Sequence, residues 1–531
     1  MGDYNMVKKN EIYTVDVTDI SNMGYGICRV DGVVTFINGA VDGDKCDIRI
    51  IKVNKDYYIA KIEKLINKSP YRVDSSCNVS VRCGGCIYQN ITYEHELELK
   101  KNYITHALRK VGLSDVTVND VLSTGEISGY RNKVQYPVGD NNVIGYYAPH
   151  SHNIVECVTC RLQSRVFDRL MKDIRDFLGK YKVSCVRHIY LRYGKGTGEV
   201  MVCLVIDKDN FKFDNEFVEY VTSRHDNVVS IMLNYNKVDT NVILGDVFAN
   251  IYGVDYIRDT LNGVKFNISA PSFYQVNHDG SELLYKIVGD SVDFRDGDRV
   301  LDLYCGTGTI GLYIASRFNI KLTGIEIIPD AVEYAKVNAE INGIKGAQFI
   351  CGDVNELENI ERNDVIIIDP PRKGCTPELI KQICDAEPRT IAYVSCNPDT
   401  LARDLVKFSE CGYVADTVTP VDMFPRTGHV ESIALLSKLN TKQHIEIDIH
   451  MDELDLTGAE KKATYEEIKE YVLEHTGLKV SNLYIAQVKQ KCGIIERENY
   501  NKPKSEESKQ PQCPPDKETA IVDALKYFEM L

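Results

Sequence analysis

The sequence lacks any run of 18 or more apolar residues, so no segment has the length that a membrane-spanning helix needs. Its opening stretch, Met1 to Lys9, also lacks the apolar core of a secretory leader. A cytoplasmic protein with no membrane partner is the expectation. Positive charge is in short supply: 63 basic against 77 acidic side chains leave a net charge of −14. That excludes wholesale electrostatic coating of nucleic acid, while leaving room for a locally basic groove. Repeats at solenoid periods are absent. Cysteine is too sparse for a disulfide scaffold, with 17 in 531 residues, about 3% of the chain. In a reducing compartment, scattered cysteines are buried thiols, and clustered ones mark a metal site or a nucleophile.

What is present is globular: 44% apolar and 26% charged residues. At roughly 150 residues per domain, this length predicts three or four folding units. Residues 1–68 read as about five short strands broken by glycine turns, enough for a small β-barrel. Residues 69–262 hold a cysteine-rich turn, a helix from Tyr93 to Val111, and mixed strands and helices. Residues 263–438 alternate helices with β-branched runs such as Val300-Leu-Asp-Leu303 and Val365-Ile-Ile-Ile368. That alternation predicts a parallel, doubly wound sheet. Residues 439–531 form a charged, mostly helical extension to which no function is assigned. Thr464-Tyr-Glu-Glu467 is a capping box that opens one helix, Ser481 to Cys492 is a second, and Asn501 to Asp516 reads as a loop.

Asp302-Leu-Tyr304-Cys-Gly306-Thr-Gly308-Thr-Ile-Gly311 follows a strand and opens a helix, with Glu326 at the end of the next strand. Glycines let the backbone approach a ligand, and the acid accepts hydrogen bonds from ribose hydroxyls. A dinucleotide and S-adenosylmethionine both satisfy that pattern. Asp369-Pro-Pro-Arg-Lys-Gly and Val394-Ser-Cys396-Asn-Pro end later strands, and a dehydrogenase has no use for either. Ligands of open α/β sheets sit outside the carboxyl ends of the strands, so Tyr304, Glu326, Asp369 and Cys396 are expected to share one crevice. Cys396 precedes a helix N-terminus, a setting that lowers a thiol pKa. Asp422-Met-Phe-Pro-Arg-Thr-Gly-His429-Val-Glu431 supplies a proton acceptor for covalent chemistry.

Together with Ser272-Phe-Tyr-Gln275-Val-Asn, these ordered motifs resemble the S-adenosylmethionine-dependent RNA uracil-5-methyltransferases, over about Met6 to Lys438. The resemblance implies that Gln275, Tyr304, Glu326 and Asp369 bind the cofactor with the Gly306/Gly308 loop. It also implies that Cys396 is the nucleophile and Glu431 the general base. Uracil C5 is too poor a nucleophile to attack a methyl sulfonium unaided. A thiolate adding to C6 makes C5 nucleophilic, and a carboxylate must then take the C5 proton so that the thiolate can leave.

Cys77, Cys83 and Cys86, with Cys157 and Cys160 downstream, supply five thiols. Two C-x-x-C pairs match a four-thiolate zinc site, but the gap between the pairs is long and Cys77 is left over. Iron–sulfur clusters also take four thiolates, with looser spacing. The resemblance implies a [4Fe-4S] cluster on Cys77, Cys83, Cys86 and Cys160. It further implies an N-terminal TRAM barrel of the oligonucleotide-binding type, with Tyr25, Arg29 and Phe36 as candidate RNA contacts. A central α/β domain with the cluster and a Rossmann-like methyltransferase domain follow. Gly129-Tyr-Arg131-Asn-Lys133 is expected on the RNA backbone. Barrel and cluster together imply 23S ribosomal RNA as target, with tRNA as the alternative and no DNA partner. Radical methylthiotransferases need a C-x3-C-x2-C triad that is absent, and a vestigial RNA-folding factor has no need of both Cys396 and Glu431.

Overall fold

A computed structural model describes residues 7–438, apart from 150, 158, 208–210, 239–241 and 358–359, together with 465–476, 478–491 and 513–527. The chain divides into two compact units, one ending at Thr441 and one beginning at Lys442. Among the described residues no helix is long and apolar enough to cross a membrane.

Residues of alternating burial build the N-terminal domain. Its strands are β1 (Ile12–Asp16), β2 (Asp19–Ile20), β3 (Tyr25–Val30), β4 (Val33–Asn38), β5 (Lys45–Val53) and β6 (Tyr57–Asn67). Cys28, Val30, Ile37, Cys46, Ile48, Ile50 and Ala60 point inward and form one core. The sheet order is β1-β5-β6-β4-β3-β2. The linker between its two edge strands bonds to both sides, Val17 N–H to Asp44 O and Thr18 N–H to Ile27 O, each at 2.8 Å. The sheet therefore curls back on itself.

Helix α1 (Tyr93–Lys110) and strand β7 (Thr117–Val118) come next. Residues 69–262 were expected to form one central domain, and here the structure differs. Ile104, Ala107 and Leu108 of α1 enter the core of the C-terminal sheet, and β7 extends that sheet's edge. The apolar stripe of α1 is the physical reason, because it has no partner of its own until that sheet is present.

The central sheet contains β8 (Lys133–Pro137), beside which the short pair β9 (Gly145–Tyr147) and β10 (Ile154–Glu156) lies apart. Helix α2 (Val166–Lys180), β11 (Val186–Tyr193), β12 (Val200–Ile206), α3 (Asp214–Thr222), β13 (Val228–Tyr235) and β14 (Val247–Gly253) complete it, in the order β14-β13-β12-β11-β8. All of β12 is buried. Its period-two alternation splits it between two cores: Val200, Val202, Leu204 and Ile206 face α2 and α3, whereas Met201 and Cys203 face the C-terminal domain. The hairpin β15 (Tyr256–Leu261) and β16 (Val264–Ser269) turns at Asn262-Gly263, so the expected boundary at 262/263 cuts a single structural piece.

Helix α4 (His278–Ser291) leads into a doubly wound sheet: β17 (Arg299–Leu303), α5 (Thr309–Arg317), β18 (Lys321–Glu326), α6 (Pro329–Ile341), β19 (Gln348–Cys351), β20 (Val365–Ile368), α7 (Pro377–Asp385), β21 (Thr390–Ser395), α8 (Pro398–Glu410), β22 (Tyr413–Val414), β23 (Thr417–Val421) and β24 (Glu431–Lys438). The order is β19-β18-β17-β20-β21-β24-β23-β7. Five strands run parallel, as expected, but β24 inserts antiparallel between β21 and β23. Strand order reverses between β17 and β20, and ligands bind at such a switch point.

In the second unit, α9 (Tyr465–Thr476), α10 (Asn482–Lys491) and α11 (Pro515–Tyr527) share a core that includes Ile468, Val472, Ile485, Val488, Ile521 and Leu525. The two expected helices are present; Thr464 of the capping box lies outside the described residues. The expected loop is corrected at its end, where Pro515 occupies the first turn of a helix, a position its fixed φ suits.

Candidate active site

A cavity of about 670 Å³ opens at the carboxyl ends of β17, β18, β20 and β21. Gln275, Tyr304, Gly306, Glu326, Asp369, Cys396 and Glu431 all line it, so the expected cofactor and catalytic residues meet in one place. Gly308 stands behind it as the N-cap of α5, at φ 80°. A Cβ there would come within 3.1 Å of Phe349 and Leu312, so its role is to turn the chain. Tyr304 also adopts a left-handed backbone, φ 63°, a rare state for an aromatic residue and one that clusters at ligand sites. Glu326 accepts from Gly306 N–H at 3.1 Å and Ile328 N–H at 2.9 Å, tying the glycine loop to the end of β18. The Thr307 hydroxyl in that loop is buried without a partner among the described residues. An acid at a strand end, a glycine cradle and a waiting hydroxyl fit a nucleoside cofactor such as S-adenosylmethionine.

Ser395, the last residue of β21, pairs with Ser432 of β24; Cys396 follows just past the end of β21 and Glu431 opens β24, so both reach the same cavity and the carboxylate acts on the thiol. Asn397 caps α8 by accepting from Asp399 N–H at 3.1 Å, with Pro398 in the first turn. The helix was expected to lower the thiol pKa; instead burial and the Glu431 and Asp369 carboxylates push Cys396 up to about 11, against the pull of Arg372. Burial, then Asp369, raises Glu431 to about 8, again opposed by Arg372. Desolvation raises Asp369 to about 7. Low dielectric near like charges outweighs the helix terminus.

Arg372 of the Asp-Pro-Pro-Arg motif is a charged member of the site that the motif alone does not single out. It lines the cavity with Arg131, Phe273, Phe424 and His429, and its Nη2 lies 3.2 Å from His429 Nε2. Asn397 Nδ2 donates to Arg372 O at 3.0 Å, joining the loops after β20 and β21. A second unanticipated feature anchors the loop before β24. Lys100 of α1, 1% exposed, donates to Glu96 Oε1 at 2.8 Å, Asp422 Oδ1 at 2.7 Å and Phe424 O at 3.2 Å. Tyr93 OH donates to Asp422 Oδ2 at 2.7 Å, and Arg426 N–H to Glu96 Oε1 at 2.6 Å. The signal was legible in principle: Glu96 and Lys100 interrupt the buried stripe of Leu99, Ile104 and Leu108.

The five cysteines of the expected cluster lie near enough to affect one another electrostatically. Burial raises the Cys86 thiol to about 12, and Cys160, Cys83 and Cys77 add to the rise. Cys157, raised to about 11, feels Cys160, Cys77 and Cys83 as well. In the N-terminal domain, Tyr25 and Phe36 are half-buried and Arg29 is exposed.

A doubly wound sheet with a cleft fit for a nucleoside cofactor at its switch point, and a thiol and a carboxylate in the same cavity, defines the site of a group-transfer enzyme. Residues 92–439 match the family described as tRNA (Uracil-5-)-methyltransferase, and residues 7–62 match the TRAM domain. An uncharacterized RNA methyltransferase of Clostridium acetobutylicum is 38% identical over 454 residues, 82% of this chain and 98% of its own. One of Bacillus cereus is 37% identical over 452 residues, with the same coverage. The crystal structure of Pyrococcus abyssi tRNA (uracil-54, C5)-methyltransferase, in complex with S-adenosyl-L-homocysteine, superposes with a TM-score of 0.66 at 28% identity, covering 80% of this chain and all of that one. The chain belongs to the tRNA (uracil-5-)-methyltransferase family: it is a TRAM-domain, S-adenosylmethionine-dependent RNA uracil-C5 methyltransferase. Its second unit lies beyond both family matches.

Proposed function

We propose that this enzyme makes 5-methyluridine in 23S ribosomal RNA in the cytoplasm, with Cys396 as nucleophile and Glu431 as base. S-adenosylmethionine, held by Gln275, Tyr304, Glu326 and Asp369, supplies the methyl group. The Cys396 thiolate adds to C6 of an extruded uracil and moves the ring's π electrons to C5 and O4. Once C5 carries the methyl group, Glu431 removes its remaining proton, and those electrons restore the C5–C6 double bond as the sulfur leaves. The observation that carries this reading is the meeting of Cys396 and Glu431 in one cavity, near enough for the carboxylate to raise the thiol. Arg372, facing both, is the cation that favours their ionised forms.

Cys77, Cys83, Cys86 and Cys160 are read as ligands of a [4Fe-4S] cluster, supported by the soft donor set and by the electrostatic coupling of these thiols to one another. The cluster's role in this reading is to fasten the central domain and its RNA-facing loops. A tRNA target is the second reading, favoured by one observation: the Pyrococcus abyssi tRNA enzyme matches this chain along its whole length, so a chain of this architecture acts on tRNA elsewhere. Mapping 5-methyluridine in 23S ribosomal RNA and tRNA from cells lacking the protein separates the two. Loss confined to tRNA would replace the ribosomal reading.

A further inference from the structure

The loop after β20 is exposed at Pro371, Arg372 and Lys373, yet the first turns of α8 hold its backbone at several points. Gly374 N–H donates to Pro371 O at 2.8 Å and closes a turn. Asn397 Nδ2 donates to Arg372 O at 3.0 Å, and Thr400 Oγ1 lies 3.3 Å from the same oxygen. Arg403 Nη2 donates to Lys373 O at 2.9 Å and to Cys375 O at 3.2 Å. Asp404 Oδ2 accepts from Cys375 N–H at 2.8 Å. Asn397, Thr400, Arg403 and Asp404 follow the spacing of three and four that puts helical side chains on one face.

Asp404 is where these ties meet. It is buried, and its Oδ2 also accepts from Tyr393 OH at 2.7 Å, while Oδ1 accepts from Arg403 Nε at 2.8 Å. Tyr393 lies on β21, the strand that ends just before Cys396. One carboxylate thus joins the strand leading to the thiol with the loop that carries Arg372. The fit is close: Gly374 has φ 72°, and a Cβ there would lie 2.5 Å from Asp404 Oδ2 and 2.6 Å from Arg403 Nη2. Carbonyls of an exposed loop can bond to water, so satisfying them does not require a helix. What α8 adds is a fixed position, and Arg372 has a use for one. The charged groups that act on Cys396 are Glu431, Asp369 and Arg372, and those that act on Glu431 are Asp369 and Arg372. Arg372 is the cation in both sets, and its Nη2 lies 3.2 Å from His429 Nε2, on which Lys100 and Arg131 also act. Coulomb attraction falls with distance, so a loop free to drift would weaken that cation's hold on both groups.

We infer that Asp404 and Arg403 are positioning residues that hold Arg372 beside Cys396 and Glu431. They act through the backbone of residues 372–375 and are absent from the lining of the cavity. The inference rests on the uracil methyltransferase reading, in which Cys396 and Glu431 react, and adds to it the device that places their cation.

Two variants of the full chain test it. Arg403→Ala alters a half-exposed side chain, and Asp404→Asn keeps an acceptor for Tyr393 and Cys375 while turning an N–H toward Arg403. The first readout needs no RNA: the rate at which iodoacetamide alkylates Cys396 at pH 8, followed at that residue by peptide mass spectrometry. Below a thiol's pKa this rate follows the thiolate fraction, so each variant should react roughly threefold more slowly than wild type. Arg372→Ala should slow at least as much, and Arg403→Ala added to it should cost nothing further, because the clamp then has no cation to place. In turnover, the pH at which kcat/KM rises should move upward in both variants, and raising the pH should restore part of the lost kcat. Affinity for S-adenosylhomocysteine should stay at the wild-type value, as the control for folding. Wild-type alkylation rates in both variants, independent losses in the double variant, or lowered activity with an unmoved pH profile would each overturn the clamp. Slowed alkylation in the variants of a protein that methylates no uridine-containing RNA would support the clamp and overturn the functional reading beneath it.

Discussion

Replacing Lys100 with methionine keeps most of the side chain's length and removes one buried positive charge. Glu96 and Asp422, both essentially unexposed, would then face each other across the gap. Asp422 would retain Tyr93 OH at 2.7 Å and Phe424 N–H at 3.2 Å; Glu96 would retain Arg426. Breaking a buried ion pair by removing one partner costs about 3–5 kcal/mol. The cost should depend on pH with a definite sign. Burial already raises Glu96, and losing its cation raises it further. A carboxyl whose folded pKa exceeds its unfolded value gives stability that is full below the unfolded pKa and lost as pH rises toward the folded one. The gap between variant and wild type should therefore be widest at pH 7–8 and narrow toward pH 5. Urea unfolding at several pH values measures it, through midpoints and slopes. Because Lys100 also holds Phe424 O, kcat for methyl transfer should fall with stability. A variant as stable as wild type at pH 7.5, or a gap that does not change with pH, would refute the assignment of Lys100 as the neutralising tie.

Three further outcomes are expected. Wild-type kcat/KM should rise with pH through about 8 as Glu431 ionises; Arg372→Ala removes the cation that pulls Glu431 and Cys396 down, so its rise should come at higher pH. An unshifted profile would remove Arg372 from the pair. Anaerobically purified protein should hold about four irons per chain, and Cys160→Ser should lose them while Cys157→Ser keeps them; stoichiometric zinc would overturn the cluster. Gly308→Val forces a branched side chain into φ 80° against Phe349, so isothermal titration should show S-adenosylhomocysteine binding weakened at least tenfold.

The residues that line the cavity were legible because most sit in short motifs at strand ends, and a doubly wound sheet gathers its strand ends on one edge. Domain boundaries were less legible. Helix α1 and β7 belong to the C-terminal sheet through pairings some 300 residues away in sequence, which local pattern cannot reveal. The antiparallel β24 was read as one more strand, since alternation carries no direction. The thiol's raised pKa escaped because a helix N-terminus is visible in sequence, while burial beside two carboxylates is a property of the folded cavity. Arg372 was in plain view in its motif, but its service to Cys396 and Glu431 depends on the loop bonded to Asn397.

The most direct measurement is a denaturing gel of Glu431→Gln incubated with S-adenosylmethionine and target RNA. With the nucleophile intact and the base disabled, methylated uracil should remain bonded to Cys396 and appear as a slow-migrating protein–RNA band. The band should vanish when Cys396→Ala is added to the same variant. Normal turnover by Glu431→Gln without a band, or a band that survives the loss of Cys396, would contradict the account.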